Sequence, residues 1–97
     1  MATYITLATL TDQGVRTMKE LARRLQNAEQ TFRSLGAELR EIYLVMGSYD
    51  YVVISEAPDD EAAAKVALAI SAQGNVRTQT FRAFNRDETL KLAEDLP

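Results

Sequence analysis

The chain reads as one α+β domain of the ferredoxin-like, split βαβ type. Three observations point there. Segments of alternating apolar residues and segments with apolar gaps of three or four follow the order strand, helix, strand, strand, helix, strand, helix. The length, 97 residues, suits a single domain spanning 1–97. The segment Tyr51-Val52-Val53-Ile54-Ser55 is apolar on both faces, as expected of a central strand covered on both sides. The pattern therefore predicts a four-stranded antiparallel sheet with its crossover helices on one face.

Thr3 to Leu10 is the first predicted strand, rich in residues that favour extended structure. Ile5 and Leu7 share one face; Tyr4, Thr6 and Ala8 share the other. Thr11-Asp12-Gln13-Gly14 breaks the strand, and Thr11 or Asp12 can cap a helix. From Val15 to Leu35 the apolar residues Met18, Leu21, Leu25, Ala28 and Phe32 form one stripe, predicting a single helix. It would be about 31 Å long at ~1.5 Å per residue. Lys19, Arg23, Arg24 and Arg33 fall between stripe positions and are expected in solvent, and Gly36 suits the C′ position.

Glu38 to Met46 is the second strand, and its polar first half marks an edge. Gly47-Ser48-Tyr49-Asp50 turns the chain into the third strand, Tyr51 to Ser55. Pro58-Asp59-Asp60-Glu61 opens a second helix, with Asp59 as its cap and acids that offset the helix dipole. Ala63, Val66, Ala67 and Ile70 form its stripe, and Gly74-Asn75 ends it. Val76 to Phe84 is the fourth strand. A last helix runs from about Arg86 to Asp95.

Composition excludes several chemistries. The chain has no cysteine and no histidine. Disulfides, thiol nucleophiles and a Ser-His-Asp triad are ruled out within it. Zinc, copper and haem sites built on imidazole or thiolate are ruled out too, so no cofactor and no metal site is expected. The net charge is −3 with no basic block, which argues against nucleic acid as a partner. Met1-Ala2-Thr3-Tyr4 resembles neither a secretory signal nor the start of a membrane span, so a cytoplasmic location and no membrane partner are expected.

Helices on one side leave the other sheet face bare. The reading places Tyr4, Thr6, Tyr51, Val53 and Ser55 on that open face. An apolar patch of this kind on a small protein predicts pairing with a second copy, face to face, as a homodimer or a higher oligomer.

At Gly47-Ser48-Tyr49-Asp50 the chain resembles the GYD family of small bacterial proteins. The likeness extends to Thr11-Asp12-Gln13-Gly14 and Tyr43. It continues through Glu56-Ala57-Pro58-Asp59-Asp60-Glu61, Gly74 to Thr80, and Arg82-Ala83-Phe84. Ser48 separates the Gly and Tyr of the family's name-giving tripeptide. The resemblance implies a ferredoxin-like fold of the dimeric α/β barrel type and carries no activity with it.

Two groups of residues are candidates for chemistry. Tyr49 and Asp50, a phenol beside a carboxylate, could bind a polar ligand or move a proton; equally, Asp50 could tie a turn to nearby amides. Thr78, Thr80 and Arg82 alternate along one strand face, and with Glu56 they could form a polar pocket in which Arg82 holds an anion. The other reading of that face is a Thr ladder and a salt bridge. Tyr43 completes the expected lining. These residues suit a homo-oligomeric small-molecule binder or structural subunit. The alternative is a cofactor-independent dimeric α/β barrel enzyme, monooxygenase- or isomerase-like, acting on an apolar or aromatic small molecule.

Overall fold

The computed structural model describes residues 1–97. Strand β1 (Ala2–Leu10) leads into a short helix α1 (Asp12–Arg16), a 3₁₀ turn (Met18–Glu20) and helix α2 (Leu21–Ser34). Strands β2 (Glu38–Leu44) and β3 (Tyr51–Ala57) follow, then α3 (Asp60–Ser71), β4 (Val76–Ala83) and α4 (Arg86–Glu94). The four strands form one antiparallel sheet in the order β2-β3-β1-β4. This is the ferredoxin-like arrangement: two interleaved βαβ units with β1 and β3 central, where the central β3 and the edge position of β2 agree with the apolar patterning.

The predicted first helix is interrupted. Thr17 leaves helical geometry at φ −110°, ψ 27°. Its hydroxyl donates back to the Gln13 carbonyl at 2.8 Å, a bond that competes with continuing the helix. The ends of the other helices follow their local chemistry. The Asp59 carboxylate accepts from the Ala62 amide at 2.8 Å. Asn85 and Glu88 form a reciprocal capping box at the start of α4. Gly36 ends α2 at φ 74°, in the left-handed region expected there.

Strand register brings a correction. Tyr4, Ala8, Tyr51, Ser55 and Ala57 are buried. Tyr4 lies opposite Ser55, Thr6 opposite Val53, and Ala8 opposite Tyr51. Directly opposed residues share a face. The face expected to be open, carrying Tyr4, Thr6, Tyr51, Val53 and Ser55, is therefore the one the helices cover. The open face instead carries Ile5, Leu7, Val52, Ile54, Tyr43 and Phe81. Both faces of the central strands are apolar, so alternation alone does not choose between them.

The packed core sits at one end of the covered face, where Tyr4, Phe32, Ala37, Ala57 and Val66 meet. Tyr4 donates to Asp60 Oδ1 at 2.5 Å, tying β1 to the first turn of α3. Burial, then the bond to Asp60, push the Tyr4 phenol up to about 12.

Candidate functional site

At the other end of the covered face the layers do not close completely. A cavity of about 110 Å³ lies between the sheet and α2. Leu25, Ala28 and Phe32 of α2 roof it, and Ala8, Tyr51 and Val53 form part of its floor. The residues follow from elementary patterning. Alternate positions of β1 and β3 point up from the sheet, and the i, i+3, i+7 positions of α2 point down. The Tyr51 hydroxyl in this wall is buried with no hydrogen-bond partner.

The mouth is polar. Thr11 donates to the Gly74 carbonyl at 2.6 Å and accepts from the Gly14 amide at 3.1 Å, capping α1 against the loop before β4. Gln13 Nε2 donates to the Gln73 carbonyl and to Asn75 Oδ1, each at 3.0 Å. Arg24 is half-buried here, a correction to its expected place in solvent. Its Nη1 donates to the Gly14 carbonyl at 3.2 Å and the Thr17 hydroxyl at 3.0 Å, while Nη2 lies 3.4 Å from the Met18 sulfur. Arg24, Gln73 and Asn75 belong both to the apolar cavity and to a polar basin of about 370 Å³ outside it.

The residues singled out from sequence are dispersed by the fold. Thr78 alone lines the cavity, its hydroxyl 3.2 Å from that of Ser71. Thr80 lies 3.0 Å from the Thr6 hydroxyl, the cross-strand pair that alternation allows. Arg82 sits further along β4, with its guanidinium 4.4 Å from the Phe84 ring centroid and 3.6 Å from Glu88. The Asn85 amide, bonded to Glu88, is the main reason that carboxyl is held low. Glu56 is on the opposite face, paired with Arg40 at 2.7 Å.

Tyr43 is exposed on the open face beside Glu41; that hydrogen bond raises its phenol above the usual value. Tyr49 reaches across to Gln79 Oε1 at 3.4 Å. Asp50 acts on backbone: its carboxylate accepts from the Leu10 amide at 2.8 Å, and its own amide donates to the Ala8 carbonyl at 2.9 Å. That geometry matches the turn-tying role open to it in the sequence. Sequence reasoning misses Arg24, Gln13, Gln73 and Asn75 as site residues. The one signal for Arg24 is its place directly beside the stripe residue Leu25.

The model of the GYD domain matches residues 4–93, nearly the whole chain. The chain belongs to the GYD domain family. A Thermus thermophilus relative, named glutamine synthetase and cystathionine beta-lyase binding protein, is 36% identical over 84 residues. That match covers 86% of this GYD chain and 88% of the relative. A solved structure of a Thermus thermophilus protein is 27% identical with a TM-score of 0.54, covering 89% of this chain and all of that one. The feast or famine regulatory protein of M. tuberculosis, solved with L-methionine, superposes with a TM-score of 0.66 at 20% identity. That likeness covers 88% of this domain and is one of fold. The GYD chain spans about half, 51%, of that regulator's chain. No helix of the domain is long and apolar enough to cross a membrane.

Proposed function

We propose that this protein is a homo-oligomeric small-molecule binder whose site is the cavity between the sheet and α2. The observation that carries this reading is the retained cavity. A cavity of about 110 Å³, lined mainly by aliphatic side chains and opening to a polar rim, has the form of a ligand site.

Binding is favoured over catalysis. The cavity wall carries no carboxylate, and Asp50 is engaged with the Leu10 amide. A second reading, a protein-docking role, draws support from the name of the 36% identical relative and from the exposed Leu44 and Met46 beside the β2–β3 turn.

The test is a thermal-shift screen against small metabolites with wild type and Ala28→Leu. The added side chain fills the void, so the variant should melt at a higher temperature and lose the ligand-induced shift. A shift of equal size in both proteins places the ligand elsewhere.

A further inference from the structure

We propose that the ligand is a short aliphatic monocarboxylate, its chain in the cavity and its carboxylate on Arg24. This deepens the reading of the cavity as a ligand site and rests on it. The size of the chain follows from the volume. A cavity of ~150 Å³ lined by aliphatic and aromatic side chains accepts benzene. The present one, about 110 Å³, holds a slightly smaller group: a straight or branched chain of about three to five carbons.

The head group follows from what the mouth leaves unpaired. Arginine has five N–H donors. In Arg24, two contacts leave Nη1 and one leaves Nη2, so Nε–H and one Nη2–H have no protein acceptor. Nε and Nη2 share one edge of the guanidinium, the fork that a carboxylate fits with two parallel hydrogen bonds, and its only protein competitor there is the weak Met18 sulfur acceptor. None of the chain's ion pairs includes Arg24, so its charge has no internal partner. Its guanidinium is held by bonds from Nη1 to the Gly14 carbonyl and the Thr17 hydroxyl, so little freedom is left to lose on binding.

The same mouth disfavours an amino acid. A zwitterion also brings an ammonium group, which needs acceptors, and two neutral ones at the mouth, the Gln73 carbonyl and Asn75 Oδ1, already accept from Gln13. Glu20 is the only carboxylate in the polar basin, and it is already paired with Arg23. With no free carboxylate beside Arg24, the mouth favours a carboxylate without an adjacent amine.

Titration calorimetry tests this with three probes that share one carbon skeleton: 4-methylpentanoate, its neutral amide, and leucine. Wild type should bind 4-methylpentanoate about tenfold or more tightly than either of the others, the worth of one charge-assisted fork. Arg24→Gln should bring the acid down to the amide's affinity and leave the amide unchanged. Arg24→Lys keeps the charge but lacks the fork, and should also lose most of the preference. Melting curves of both variants establish that they fold.

Equal binding of acid and amide by wild type, or tighter binding of leucine, overturns the monocarboxylate while leaving the cavity as a site. If none of the three probes binds, the monocarboxylate is overturned, and the metabolite screen decides separately on the cavity. If Ala28→Leu binds the acid as well as wild type does, the cavity reading itself falls.

Discussion

Tyr4 shows how a single buried phenol couples packing to pH. Its ring belongs to the core and is 3% exposed, and its hydroxyl is spent on Asp60. The unfolded chain releases that proton near the ordinary value of 10.0, whereas the folded chain holds it up to about 12. The neutral form is therefore the one the fold prefers. The stability this supplies is complete below pH 10 and is lost as pH rises from 10 to about 12. Melting temperatures measured from pH 8 to 12 should fall steeply above 10 in wild type. Tyr4→Phe should be less stable at pH 8 and show a shallower fall. A parallel fall in both proteins would assign the alkaline loss to other groups. The strand character of this residue was legible in sequence. Its burial on the helix side was not, because Tyr4 and Ile5 are both acceptable core residues.

At the scale of elements, the seat of α1 against β4 has the tightest tolerance. Gly14 is buried, and a Cβ there would meet the Asn75 carbonyl oxygen at 2.1 Å. That oxygen already accepts from the Thr11 amide at 3.0 Å. The two nearest atoms are Asn75 backbone, which has no flexible end to give way, and Leu10 Cδ2 follows at 3.1 Å. Gly14→Ala should therefore cost about 1–3 kcal/mol, the range for forcing volume into a packed site. It should also loosen the cavity mouth, since α1 carries Gln13 and the carbonyl that orients Arg24. Denaturant melts and the calorimetry described above check both effects; an Ala variant as stable as wild type would refute the steric argument. In sequence, Gly14 looks like a loop residue beside Thr11 and Asp12. The close approach involves Asn75, sixty-one positions away, and no local pattern reports it.

For the molecule as a whole, the open sheet face is the surface that bears on assembly. Ile5, Leu7, Val52, Ile54 and Phe81 share it, and Phe81 is 50% exposed. A contiguous apolar patch on a domain of 97 residues is a contact surface by physical expectation. We propose that two copies meet through it, as the dimeric α/β barrel likeness implies. Light scattering after size exclusion should give a mass of two chains for wild type. Leu7→Glu, a charge at the centre of the patch, should give one chain with the far-UV spectrum intact. A wild-type monomer at high concentration would defeat the pairing.

The order of elements, the edge position of β2, the central position of β3 and the caps at Asp59 and Gly36 were determined by local sequence. Each depends on alternation, helical spacing or the chemistry of a few adjacent residues. The choice of which sheet face lies under the helices, the void above Ala8 and Val53, and the placing of Arg24 at its mouth were decided only in three dimensions. Two apolar faces on the same strand are equivalent to any period-two pattern. What separates them is the path of the crossover helices and the imperfect fit of α2 over the sheet, which arise from residues far apart in the chain.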